Sequence, residues 1–142
     1  MEKDIVLNPV MWTPSDERIK SSQMLKFIKG VNDRYNLDLI SFVDLHSWSV
    51  NNKSDFWSSI WDFFEIIGSK GNTPYIEPEN QMPGSKFFPN GIVNYAENML
   101  SGDVSGAAIV FKSEDKIRKE ISWKDLKIQV ATLARFLRKQ GI

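Results

Sequence analysis

The sequence holds a single histidine, the side chain most often used as a metal ligand or general base. It is His46, in the run LHSWSV. A metal centre there would need further nitrogen, sulfur or carboxylate ligands around it, and none is suitably spaced. The 142 residues include no cysteine, so disulfides, thiolate metal sites and cysteine nucleophiles are excluded. A Ser-His-Asp relay through Ser47 or Ser49 lacks the GxSxG elbow that would present a nucleophile. With Leu45 and Trp48 beside it, His46 reads as a histidine packed between helices. The eight glycines form neither GxxxxGK(S/T) nor GxGxxG, so no phosphate cradle is recognisable. SGDVSG (101–106) reads as an exposed turn. Glu77 and Glu79 have no apolar pocket to raise a carboxyl pKa, and a solvated loop accounts for them.

Aromatic groups are the next candidates. Trp57 and Trp61 could stack a sugar or a base, but their i, i+4 spacing on an apolar helix suits a core. The stretch MPGSKFFPNGIVNYAENML (82–100) is less ordinary. Phe87 and Phe88 lie between a Pro-Gly and a Pro-Asn-Gly corner, and Asn94, Tyr95 and Asn98 follow. Composition leaves two readings open. The phenylalanines fill a core while the amides cap neighbouring backbone, or the stretch is a strap whose aromatics and amides dock on a partner surface.

The elements that must position these groups are mostly legible. Thr13-Pro14-Ser15-Asp16 predicts a helix start, and Met24, Phe27, Ile28, Val31 and Tyr35 form its apolar stripe up to about Asn36. Residues 38–50 predict a second helix with Phe42, Leu45 and Trp48 turned inward. Asn52 opens a third, on which Phe56, Trp57, Ile60, Trp61, Phe63, Phe64 and Ile67 cover more than one face, with Gly68 as its stop. Residues 69–91, rich in proline and glycine, read as an ordered strap anchored by Tyr75, Ile76, Phe87 and Phe88. A short helix follows at about 92–100. AAIVF (107–111) has the signature of a buried strand, paired through a polar turn with a run ending at Ile121. Ser122-Trp123-Lys124-Asp125 caps a last helix carrying Leu126, Val130, Leu133 and Leu137, with Gly141 behind it.

Eighteen basic and eighteen acidic residues cancel, so no global field favours nucleic acid or an anionic membrane. No apolar run approaches the roughly 20 residues of a membrane span. The opening MEKDIVLNPVMW lacks the long apolar stretch of a signal peptide, and a cytoplasmic protein is expected. A lone hairpin is marginal in water. Strand, strand, helix and glycine is how a larger α/β domain begins, so further sequence beyond Ile142 is expected.

Five blocks in order, VMWTPSDERIKSSQMLKFI, LHSWSV, FWSSIWDFF, MPGSKFFPNGIVNYAENML and ISWKDLKIQVATLARFLRKQGI, resemble the N-terminal region of acetoacetyl-CoA synthetases. These belong to the acyl-adenylate-forming ligase superfamily. Departures from the family pattern fall at Ser47, at Phe87 and around Pro89-Asn90. The resemblance implies an α+β chain of three parts: a helical lead-in (1–68), an aromatic strap with a short helix (69–100), and a hairpin and helix (101–142) that open a large α/β adenylating domain. It also implies a parent enzyme that joins acetoacetate to coenzyme A, with ATP going to AMP and pyrophosphate through an acyl-adenylate and with magnesium present. The parts that bind nucleotide and catalyse would lie beyond Ile142. No catalytic, cofactor-binding or metal-binding residue is therefore expected here, and the 142 residues alone should be inactive. Docking then becomes the better reading of the strap. Trp48, Trp57, Trp61, Phe87, Phe88, Asn94, Tyr95 and Asn98 are its candidates, with the remainder of the ligase chain as partner and self-association where that remainder is missing. A stand-alone interaction module sharing this lead-in is the rival reading.

Overall fold

The computed structural model describes residues 11–102, 105–114 and 116–142. They form an α+β chain of helices and two-stranded sheets, which divides into two compact units between Ile92 and Val93.

The first unit opens with α1 (Asp16–Lys20) and α2 (Gln23–Tyr35), two helices where the sequence suggests one. Ser15, not Thr13, caps α1 by accepting the Arg18 N–H. The break falls at Ser21-Ser22 because Ser22 turns extended and its hydroxyl accepts the Leu25 N–H, which starts a second helix. Asn36 ends α2 in the left-handed conformation at φ 53°, which asparagine tolerates better than most residues. The Asn32 amide then ties the connection down. Its Nδ2 donates to the Leu39 carbonyl at 2.9 Å, and the Leu39 N–H donates to its Oδ1 at 2.9 Å.

Helix α3 (Phe42–Asn51) begins with a reciprocal capping box. Ser41 Oγ accepts from the Asp44 N–H, and the Asp44 carboxylate accepts from the Ser41 N–H. In α4 (Lys53–Phe63), Asn52 holds the N-cap position but does not cap with its side chain. Its Nδ2 instead donates to the Trp48 carbonyl at 3.0 Å, at the end of α3. Helix α4 also stops before Gly68, at Phe64 and a left-handed Glu65.

The core is small. Phe27, Ile28 and Val31 of α2 meet Leu45 of α3, with Trp48, Phe56, Ile60 and Phe63 packed around them. Phe27 stands edge-on to both Phe63 (5.2 Å) and Phe56 (6.0 Å), an arrangement worth about 0.5–1.5 kcal/mol per pair beyond area burial. Of the three residues expected to face inward from α3, Leu45 is buried and Trp48 half-buried, but Phe42 is exposed. Phe42 lies in the first turn of this ten-residue helix, at the rim of the core beside the exposed His46 ring.

Four two-residue strands punctuate the strap. β1 (Gly68–Ser69) pairs with β4 (Ile92–Val93), and β2 (Ile76–Glu77) runs antiparallel to β3 (Lys86–Phe87), with Ile76 opposite Phe87.

The second unit consists of α5 (Tyr95–Leu100), the hairpin β5 (Ala107–Lys112) and β6 (Arg118–Ser122), and α6 (Trp123–Lys139). Ser122 caps α6, accepting from the Asp125 N–H and donating to its carboxylate. Gly141, at φ 84°, turns the chain so that the Ile142 N–H reaches the Leu137 carbonyl. No described residue of this unit is fully buried. The AAIVF strand, expected inside, keeps Ile109, Val110 and Phe111 about half exposed, because one strand and one helix cannot cover both its faces.

Candidate docking surface

Four of the eight candidate residues come together in the first unit. Trp57 and Trp61 are one turn apart on α4, and the strap lies across them. The Phe87 ring stands edge-on to Trp57 at 5.3 Å. Phe88 packs on Trp61 at 4.9 Å and on Tyr75 at 5.5 Å. Two backbone bonds hold Phe88 in its left-handed conformation (φ 47°): its N–H donates to the Tyr75 carbonyl at 2.7 Å, and its own carbonyl accepts from Gly91 at 2.8 Å. Gly91 must be glycine-sized, since a Cβ there would lie 2.9 Å from that of Phe88. Trp57 stays 38% exposed and Phe87 50%. The strap therefore covers part of α4 and adds an aromatic surface of its own.

The other four are placed differently. Trp48 belongs to the core of the first unit, against Tyr35 (5.2 Å) and Phe56 (6.4 Å). Asn94 caps α5, accepting the Glu97 N–H at 3.2 Å, and Asn98 Nδ2 donates to the Asn94 carbonyl at 2.9 Å. Tyr95 projects from the same short helix and is strongly exposed.

The strap is also fastened by charge, through residues that no local pattern marks. Lys70 Nζ donates to the Asp62 carboxylate at 2.6 Å and to the hydroxyl of buried Ser58 at 3.0 Å, and lies 5.8 Å from the Tyr75 ring. Arg34 of α2 bonds the same Asp62 oxygen. Partial burial pushes the Asp62 carboxyl up, but the bonds from Lys70 and Arg34 outweigh it and hold the group below the usual carboxylate range. Farther along, Lys53 at the start of α4 donates to the Asn80 side chain at 2.8 Å. The only sequence signal for these contacts is the presence of polar residues on an otherwise apolar helix and strap.

His46 is not packed between helices. It is exposed, its ring 6.0 Å from Phe42 at the rim of an apolar cleft of about 200 Å³ that no second titratable residue lines. The Ser49 hydroxyl donates to the His46 backbone carbonyl at 2.8 Å rather than to the imidazole. No relay forms, and among the described residues no three His, Asp or Glu side chains converge as metal ligands. Glu77 and Glu79 are exposed. No described helix is long and apolar enough to cross a membrane. The arrangement holds an aromatic surface in place on α4.

Comparison with known proteins gives this surface a family context. No family model matches the chain, and no solved structure matches it. An acetoacetyl-coenzyme A synthetase of Rhizobium meliloti is 33% identical over 93% of this chain and 20% of its own length. A malonamoyl-CoA synthetase of Penicillium aethiopicum is 31% identical over 85% of the chain and 17% of its own length. The acetoacetyl-CoA synthetase of Danio rerio is 30% identical over 99% and 21%. The chain thus spans about a fifth of the length of the curated relatives it matches. Because the likeness runs through nearly all of its residues and repeats across bacterial, fungal and animal synthetases, the chain belongs to the acyl-CoA synthetase family, as a counterpart of the N-terminal region of its acetoacetyl-CoA members.

Proposed function

We propose that the chain is the N-terminal part of an acetoacetate–CoA ligase acting in the cytoplasm. The whole ligase would join acetoacetate to coenzyme A, with ATP and magnesium, through an acyl-adenylate. The observation that carries this reading is the match to acetoacetyl-CoA synthetases along 93–99% of the chain. In this reading the 142 residues do not catalyse. They present a docking surface on which Trp57 and Phe87, and separately Tyr95, are the exposed members, and the remainder of the ligase covers it. The left-handed Phe88 and the close Gly91 support this role, because they preorganise the strap before any partner arrives.

Pyrophosphate release from ATP and acetoacetate in the presence of coenzyme A tests the proposal. It should be acid-dependent for the polypeptide encoded by the full reading frame and absent for residues 1–142. Release by the 142 residues alone would overturn the docking role. A reading frame that ends at Ile142, or a longer product with no acid-dependent release, would favour an independent interaction module.

A further inference from the structure

Asn90 is the only asparagine in the sequence that is followed by glycine. That pair carries a chemical liability of its own. The glycine has no Cβ to block approach, so its backbone nitrogen can reach the carbonyl carbon of the asparagine side chain. Glycine is nevertheless imposed at position 91. A Cβ there would lie 2.9 Å from the Phe88 Cβ, 3.0 Å from the Phe88 carbonyl oxygen and 3.4 Å from that of Ser69. The residue that makes Asn90 reactive is thus one the strap cannot do without.

The same packing holds the reaction back. To react, the Gly91 nitrogen must lose its proton and swing towards the Asn90 Cγ, but its N–H is committed to the Phe88 carbonyl at 2.8 Å. Phe88 is itself fixed. Its N–H donates to the Tyr75 carbonyl at 2.7 Å, and its ring packs on Trp61 and Tyr75. The Asn90 backbone is also pressed against Gly71, where a Cβ would lie 2.4 Å from the Asn90 carbonyl oxygen and 2.7 Å from its Cβ. Any turn of that peptide group has to be made against Gly71.

We propose that Asn90 is a conformation-gated modification site, which keeps its amide while the strap is seated on α4 and deamidates when the strap lifts. The Gly91 nitrogen passes its proton to hydroxide and forms a bond to the Asn90 Cγ. The tetrahedral intermediate takes up a proton from water and expels ammonia, leaving a five-membered imide. Water then opens the imide. Cleavage at Cγ gives aspartate, and cleavage at the main-chain carbonyl gives isoaspartate, in which the chain runs on through Cβ and Cγ. Water is the only co-reactant, and nothing is oxidised or reduced. Isoaspartate puts an extra atom into the main chain between Phe88 and Gly91, so the turn bond that closes at 2.8 Å no longer fits. A brief lifting of the strap is thereby recorded as a lasting one. The gate consists of contacts within the first unit and needs no open surface; a partner seated on the strap would only tighten it. The inference does not depend on the ligase reading.

Peptide mapping after incubation at mildly alkaline pH reads aspartate and isoaspartate at position 90. A synthetic peptide of residues 86–94 supplies the ungated rate in the same buffer. Conversion in the folded 142-residue chain should be at least about tenfold slower than in the peptide, because opening of the strap must precede reaction. Phe88→Ala removes the ring from Trp61 and Tyr75 and leaves Pro89-Asn90-Gly91 unaltered. It should bring the rate in the chain most of the way to that of the peptide. Urea supplies a readout that stands even if this variant unfolds: across the unfolding transition of the unaltered chain, the rate should rise in step with the loss of structure. Equal rates in folded chain and peptide, a folded Phe88→Ala chain that reacts no faster than the parent, or a rate indifferent to unfolding would each overturn the proposal.

Discussion

Lys70 Nζ and the Asp62 carboxylate lie 2.6 Å apart, and this pair fastens the first residues of the strap to the polar side of α4. Arg34 shares the carboxylate. The pH dependence follows from the depressed Asp62 pKa. Stability from the pair is fully present above the ordinary carboxylate value of about 4 and is lost as pH falls through the lower, folded-state value. The Asp62 side chain is 48% exposed, so solvent screens the interaction and Asp62→Asn should cost only about 1 kcal/mol at neutral pH. Urea unfolding followed by tryptophan fluorescence checks this. The variant should also lose less stability than the parent between pH 5 and about pH 3, and equal losses would discount the ion pair.

Two glycines should respond in opposite directions to the same substitution. Gly71 has φ +73°, and a Cβ there would lie 2.4 Å from the Asn90 carbonyl oxygen. Gly71→Ala should therefore destabilise the first unit by about 2 kcal/mol or more. Gly30 sits mid-helix in α2 with nothing within 4 Å of its would-be Cβ. Gly30→Ala should stabilise by about 0.5–1 kcal/mol. Shifts of the same sign in denaturant midpoint would contradict the geometry of one of them.

Helix α3 offers a similar contrast. Leu45 is 4% exposed within the core and Phe42 is 60% exposed. Leu45→Ala should cost about 2–4 kcal/mol, whereas Phe42→Ala and His46→Gln should each stay within about 0.5 kcal/mol. Thermal unfolding of the three variants side by side separates a core residue from two surface ones.

What the sequence discloses depends on how far apart the deciding residues stand. The Ser122–Asp125 cap, the β5–β6 hairpin and the end of α2 at Asn36 are local, so neighbouring residue types announce them. The break at Ser21-Ser22 is also local but ambiguous, because a serine pair is tolerated inside a helix as well as between two. The Asn52 side chain looks like a cap for α4 and instead serves the Trp48 carbonyl, a choice between two orphan groups that sequence cannot rank. The aromatic candidates on α4 and Phe87-Phe88 were visible as an unusual concentration, though not which ring meets which. The Arg34–Asp62–Lys70 cluster joins three segments and left no local trace. The composition of AAIVF predicts burial, but burial also needs neighbours, and among the described strands β5 pairs with β6 alone.

The Asn32 amide acts as a stand-in strand. It offers a donor and an acceptor to the peptide group of Leu39, as the next strand of a ladder would. Residues 33–38 are thereby closed into a hoop of fixed circumference. Adding or removing one residue in that hoop would swing α3 away from its seat on Val31, even if every side chain involved were kept. Length, more than composition, is what this connection has to keep. Asn32 itself has no adequate isostere: aspartate would bring acceptors without a donor, and leucine would bring neither.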